Sequence, residues 1–284
     1  MATARDIRRR IRTVKNIGKI TNAMKMVAAA RLRKAQARAE AARPYAEKMR
    51  EVMTGLAGRA GDISHPLLVV REERNVALVV IGADRGLAGS YNVNVMHRAL
   101  DEIGDRAPES VRLVLMGRKG ASFFRRRPYP IVRMVEAPAS GVAFADIRAI
   151  TNEVRQMFES AEVDAVYLVY ARFISPTTQE PTAVKLLPMA TPEAEDGAAG
   201  DFIFEPDAAG LLGRLLPRYV ETAVFEALVE SQASEHGARM TSMTAATQNA
   251  EEMVDNLTLE YNKARQAAIT NEILEIVSGA EALR

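Results

Sequence analysis

The residues best suited to chemistry in this chain are few, and most of them sit in one turn. GADRGLAGSYN, Gly82 to Asn92, follows a β-branched run and opens a helical stretch. A glycine-rich turn between strand and helix can hold a phosphate on its exposed amides, so the chemistry on offer is nucleotide binding. Gly82, Gly86 and Gly89 are spaced four and then three apart, which fits neither the dinucleotide fingerprint nor the phosphate loop that ends in Lys-Ser/Thr. No acidic residue closes a following strand to take a ribose. The competing reading is structural: a tight turn whose glycines let the helix pack on the sheet. His65, His97 and His236 are scattered, so neither a metal cage nor a Ser-His-Asp relay assembles from them. The absence of cysteine excludes disulfides, zinc-thiolate sites, thiol catalysis and redox switching. No motif points to a catalytic carboxylate pair.

Charge is the second lead. Residues 1–50 hold fifteen Lys/Arg against three acids, Asp6, Glu40 and Glu47, so the net charge of +2 hides a basic arm and an acidic remainder. Such an arm implies an acidic partner: nucleic acid, anionic lipid or an acidic protein surface. It lacks interleaved aromatics and shares its sequence with a hydrophobic seam, which is the pattern of a charged coiled-coil exterior. The chain has no run of about 18 uncharged apolar residues to span a bilayer. MATARDIRRR lacks the apolar core of a secretory signal and runs straight into a patterned helix.

The elements that would carry these residues fall into three blocks. From Ala4 to about Leu56, steps of four and three pick out Ile7, Ile11, Val14, Gly18, Thr21, Lys25, Ala28, Leu32, Ala35, Ala39, Ala42, Ala46, Met49, Met53 and Leu56. Gly18, Thr21 and Lys25 interrupt the apolar pattern, and a neighbouring stripe of Ile17, Ile20, Met24 and Val27 is expected to take over there, as in a stutter. Pro44 is expected to kink or end this helix. Residues 207–284 read as a second long helix, with Met253, Leu257, Tyr261, Ala264 and Ala268 at helical spacing. Helices at opposite ends of one chain run antiparallel if a domain bridges them at one end.

The middle block alternates strand and helix. Strands are expected over Asn75–Gly82, Val111–Gly117, Ile131–Glu136, Asp164–Phe173 and Thr182–Met189. Helices are expected up to Leu100, up to Phe124 and over Phe144–Phe158, with an acidic loop over Thr191–Asp201. This is the grammar of a Rossmann-like, doubly wound α/β domain with a largely parallel sheet. The expected division is 1–57 N-terminal coiled-coil helix, 58–206 α/β domain and 207–284 C-terminal coiled-coil helix.

ITNEILEIVSGA, Ile269 to Ala280, places Glu272 and Glu275 one helical turn apart in a helix stopped at Gly279. It fits the signature Ile-Thr-x-Glu-x-x-Glu-x-x-x-Gly-Ala of the γ subunit of F-type ATP synthases. KITNAMKMVAA (Lys19–Ala29), ADRGLAGSYN (Ala83–Asn92), ASEHGARM (Ala233–Met240) and YNKARQAAIT (Tyr261–Thr270) resemble other shared blocks of that family, in order along the whole chain.

The resemblance implies a non-catalytic rotor. Its terminal helices would form an antiparallel, left-handed coiled coil inside a hexamer of α and β subunits. The α/β domain would sit at the base near the ε subunit and the c-ring. No cofactor, metal or nucleic acid is implied, and the membrane is met only through the complex. The resemblance carries Lys19, Met24 and Lys25 to the acidic loop of β. It carries Arg239, Arg265, Gln266, Thr270 and Glu272 to coupling with the hexamer, and Ile273 and Ile276 to an apolar bearing at the tip. Phe202, Phe204 and Glu205 match the foot on the c-ring and ε, with Phe where relatives often have Tyr. Ala88 stands where many relatives have Cys. With no presequence and no cysteine-bearing insert, the expected place is the cytoplasmic face of a bacterial inner membrane. The alternatives are a nucleic-acid- or anion-binding coiled coil using residues 1–50, and a nucleotide-binding enzyme at Gly82–Gly89.

Overall fold

Between residues 76 and 187, short β-branched runs alternate with amphipathic stretches, and in this computed structural model they form one five-stranded sheet with helices on both faces. The structure describes residues 3–59, 65–137, 144–189 and 208–281. The main elements in chain order are α1 (Ala4–Arg59), β1 (Val76–Ile81), α2 (Tyr91–Ile103), β2 (Val111–Met116), α3 (Arg118–Phe124), β3 (Ile131–Val135), α4 (Phe144–Glu159), β4 (Ala165–Phe173), β5 (Gln179–Leu187) and α5 (Ala208–Glu281). Contacts divide the chain into two units, Ala29–Arg239 and the pairing of Met1–Ala28 with Met240–Arg284.

In the first of these units the strand order is β3-β2-β1-β4-β5, with β1, β2, β3 and β4 parallel and β5 antiparallel on the edge beside β4. Every residue of β1 is buried, as a parallel strand covered on both faces requires. Alternation along the strands separates two cores. Val76, Leu78 and Val80 pack with Val95, Met96 and Ile103 of α2 and Phe124 of α3. Ala77, Val79 and Ile81 face Ile147, Val154 and Phe158 of α4 and Leu216, Val220 and Val224 of α5. The α/β domain with a largely parallel sheet is therefore as the sequence pattern implies.

Both terminal helices are longer than a sheet needs. α1 runs unbroken through Pro44, so the proline does not end it. Pro44 is exposed, and its missing N–H removes one backbone bond from a helix held by other contacts. In the second unit the seam residues of α1 are Ile7, Ile11, Val14, Gly18, Thr21, Lys25 and Ala28, all buried or half-buried. Those of α5 are Met243, Thr247, Ala250, Val254, Leu257, Tyr261 and Ala264. Both follow the four-three spacing of a left-handed coiled coil.

Two contacts fix the direction. A Cβ on Gly18 would stand 3.5 Å from the Cβ of Ala250. Three residues further along α1, the hydroxyls of Thr21 and Thr247 lie 2.8 Å apart. A step forward on α1 is a step back on α5, so the helices are antiparallel.

The seam differs from the sequence expectation in three places. The stripe of Ile17, Ile20, Met24 and Val27 does not take over: Ile17, Ile20 and Val27 are exposed, and Gly18, Thr21 and Lys25 stay on the inside. Small residues allow a close approach, and the two hydroxyls use their two protons between them: one threonine donates to the other, which donates to a carbonyl of its own helix, Gly18 for Thr21 or Met243 for Thr247. A polar pair with both protons used is tolerated inside, so no stutter is needed. On α5 the seam passes through Val254 rather than Met253, which is exposed and one residue off the repeat. Ala268 is exposed because, in this antiparallel register, Ala264 is level with the start of α1.

Candidate functional site

Three arrangements are candidates. The first is the α5 segment beyond Ala264. The register that pairs Gly18 with Ala250 exhausts α1 there, and α5 continues from Arg265 to Glu281, about 25 Å of helix at 1.5 Å per residue. Arg265, Gln266, Thr270 and Glu272 are exposed on it, and the Thr270 hydroxyl donates to the Gln266 carbonyl at 2.9 Å. Ile269, Ile273, Leu274, Ile276 and Val277 are exposed too, with Ile276 72% accessible. A helix whose exposed apolar residues have no partner among the described residues presents a surface for one.

The second arrangement is a groove of about 560 Å³ along the paired helices, lined by Lys15, Lys19 and Lys25 from α1 and by Thr244, Gln248, Glu251 and Asp255 from α5. Lys19 is exposed, while Met24 and Lys25 are half-buried. Of the three residues expected to meet an acidic loop, Lys19 and Lys25 share this groove.

The third arrangement belongs to the glycine-rich turn. In a doubly wound sheet a ligand binds where the connections change direction, at the carboxyl ends of the strands, here between β1 and β4. Helix α5 fills that crevice. The Ser231 hydroxyl bonds the Ile81 carbonyl at the end of β1 (3.3 Å) and pairs with the Tyr91 hydroxyl (2.6 Å). Ser234 donates to the Ala171 carbonyl of β4 at 2.9 Å. Gly237 lets the helix approach Pro176, whose Cα would be 3.1 Å from a Cβ placed there.

Arg239 closes the arrangement. Its guanidinium is buried, pairs with Glu235 at 2.7 Å, and reaches the carbonyls of Arg85 (3.3 Å) and Gly86 (3.2 Å). Burial raises the Glu235 carboxyl, with Arg239 opposing. His236 is pushed down to about 4, chiefly by burial and then by Arg239 and Arg31. Its Nδ1 lies 3.4 Å from the Arg239 guanidinium, as suits a neutral ring accepting there.

The glycines act as packing devices. Gly82 lies against Met96 of α2, and a Cβ on Gly117, whose φ is +94°, would collide with the Gly82 carbonyl. Ala88 is buried. Among the described residues no three His, Asp or Glu side chains gather as a metal cage.

A family model described as ATP synthase matches residues 3–283. The ATP synthase gamma chain of Pelotomaculum thermopropionicum is 47% identical over 284 residues, spanning all of both chains. That of Desulfitobacterium hafniense is 48% identical over 283 residues, again across the full length of both. The chain belongs to the γ-chain family of ATP synthases.

The fold agrees. A chain from the central stalk and c-ring structure of Tetrahymena thermophila mitochondrial ATP synthase superposes with a TM-score of 0.61 at 27% identity, covering 80% of this chain and 99% of that one. A chain of the Euglena gracilis mitochondrial ATP synthase shares the fold with a TM-score of 0.70 at 20% identity, covering 99% and 94%. Of the residues that the resemblance singled out, Arg265, Gln266, Thr270, Glu272, Ile273 and Ile276 are gathered on the unpaired segment of α5. Lys19, Met24 and Lys25 lie on α1 in the paired unit. Arg239 stands in the sheet-bearing unit, buried. Phe202, Phe204 and Glu205 fall outside the described residues.

Sequence reasoning noted His236 and the ASEHGARM block, but missed Ser231 and the part that Ser234, Glu235 and His236 play against the sheet. Their signal is a short polar and small-residue run, SQASEHG, inside a helix whose flanks are apolar. Serines three apart with a glycine three further on mark the face that meets the sheet.

Proposed function

We propose that this γ-family chain is the central-stalk rotor of an F-type ATP synthase, transmitting torque between a proton-driven c-ring and a catalytic hexamer of α and β subunits without catalysing a step itself. The observation that carries this reading is the α5 segment from Arg265 to Glu281, a single helix with exposed isoleucines past the end of its partner. Its apolar surface suits a bearing in which Ile273 and Ile276 turn against a ring of partner residues. Arg265, Gln266, Thr270 and Glu272 supply polar contacts that differ with orientation, and differential contact is what shifts a partner between conformations.

Residues 1–57 and 207–284 serve as the shaft, and 58–206 as the base. The basic arm, with Lys19, Met24 and Lys25, meets an acidic loop of β. Phe202, Phe204 and Glu205 form the foot toward ε and the c-ring. The complex holds the chain at the cytoplasmic face of a bacterial inner membrane. No helix among the described residues is long and apolar enough to cross a membrane; in this reading the membrane is met through the complex.

Mixing the chain with isolated α and β subunits tests the proposal. Restored, sustained ATP hydrolysis by the hexamer is expected. No stimulation, together with tight and steeply salt-dependent binding to DNA alone, would support the nucleic-acid reading of residues 1–50 instead.

A further inference from the structure

We propose that Arg239 is a positioning residue, a clamp that fixes the Asp84–Gly89 turn to α5 and so locks the sheet to the helix under load. The proposal rests on the rotor reading and gives one of its residues a specific task. The notion that Arg239 touches the hexamer directly does not suit its place. Its side chain is 9% exposed, as is that of its ion-pair partner Glu235. A buried guanidinium is tolerated only when its charge is paired and its donors are used. Here one carboxylate and the carbonyls of Arg85 and Gly86 use them.

The turn needs holding. Leu87 adopts φ +63°, a left-handed conformation that costs a non-glycine residue about 1 kcal/mol or more, and its side chain is largely exposed, so the apolar anchor of the turn is the small Ala88 beside it. The turn is tied to α3 on one side, where the Arg118 amide donates to the Asp84 carboxylate (2.9 Å) and the Lys119 amide to the Ala83 carbonyl (3.0 Å). Arg239 ties it on the side of α5. Ser231 and Ser234 add bonds from the same helix to the ends of β1 and β4. Directional polar bonds resist sliding and twisting of a helix on a sheet, whereas apolar contact alone is non-directional. The crevice where other doubly wound sheets take a ligand thus serves as a socket for the chain's own helix.

Arg239→Gln removes the charge pair and shortens the reach, Arg239→Lys keeps the charge but loses the fork, and Ser234→Ala removes a buried bond of α5 that does not involve the turn. Two readouts are taken. Hydrogen exchange of the full-length chain is followed by mass spectrometry, and protons pumped per ATP hydrolysed are measured in the reconstituted complex.

Arg239→Gln is expected to speed exchange of the Asp84–Gly89 amides about tenfold, as loss of charge-assisted bonds implies, with no change in peptides around Thr21 and Thr247. It should also lower protons pumped per ATP to roughly half or less, while hydrolysis persists. Arg239→Lys should fall between it and the wild type, and Ser234→Ala, which removes one neutral bond to β4 and none to the turn, should leave turn exchange unchanged and lower the ratio less than Arg239→Gln does. Unchanged turn exchange in Arg239→Gln overturns the clamp. So does an equal fall in the ratio for Ser234→Ala, which would make the effect one of general stability. A wild-type complex that hydrolyses ATP without pumping counts against the rotor reading, and the exchange measurement on the free chain then decides the clamp by itself.

Discussion

Replacing Gly18 by alanine should stabilise the chain, and the size of the effect follows from the seam. Gly18 is half-buried in α1, and a Cβ built on it meets the Ala250 Cβ at 3.5 Å, an ordinary van der Waals contact. Glycine in a helix interior is less favourable than alanine by about 1 kcal/mol. A methyl group that leaves water adds up to about 0.8 kcal/mol more. The expected gain is therefore between about 1 and 2 kcal/mol, read from urea unfolding of the full chain by circular dichroism at 222 nm. Gly18→Leu separates a paired helix from a lone one. Leucine is nearly as good a helix former as alanine, so on an unpaired helix both substitutions would stabilise. Against Ala250 the larger side chain overpacks the seam and should cost about 1–3 kcal/mol. Equal stabilisation by both variants would refute the close pairing of α1 with α5.

Further outcomes follow from other positions. Gly117→Ala should destabilise the sheet-bearing unit by on the order of 3 kcal/mol, since the new Cβ collides with the Gly82 carbonyl at a φ of +94° that alanine disfavours; thermal unfolding measures it. His236 takes up its proton at about 6.5 when unfolded and only near 4 when folded, so it withdraws up to about 3 kcal/mol of stability as pH falls from 6.5 toward 4. Glu235, raised by burial, acts in the opposite sense, weakening the fold as pH rises above its unfolded value near 4.5, with Asp84, Arg239 and Arg31 fixing the local field. His236→Gln should therefore lose less stability than the wild type between pH 7 and pH 5 in urea unfolding. Ile276→Ser should leave the stability of the free chain within about 0.5 kcal/mol, because the side chain is exposed, yet weaken assembly with α and β in a pull-down. Met24→Lys, which adds a cation beside Lys19 and Lys25, should lower protons pumped per ATP more than it lowers assembly; an unchanged ratio would count against contact with an acidic loop.

The sheet was readable in advance because a parallel strand buried on both faces must be a continuous apolar run. Val76–Ile81 is such a run, and Val111–Met116 is one apart from the half-buried Arg112 near its start. The helix seam was readable only in its period. Apolarity pointed to Ile17, Ile20 and Val27, yet the structure turns Gly18 and Thr21 inward, because closeness of the two backbones and the Thr21–Thr247 hydroxyl pair decide which face meets the partner. A partner that is 226 residues away in sequence does not show in a local pattern. The same holds for Arg239: family likeness marked the residue, while its use as a buried clamp depends on carbonyls of a turn more than 150 positions away. The exposed isoleucines of the last helical turns were legible as residues, and their lack of a partner emerged only from the register of the two helices.

Rotation itself is the most direct test of the account. The chain has no cysteine, so a single Arg125→Cys substitution on the exposed end of α3 accepts a bead without competing labels. With the α and β subunits fixed to glass, ATP is expected to turn the bead steadily in one direction. Sustained ATP hydrolysis by an assembled complex whose bead remains still would contradict the reading of this chain as a rotor.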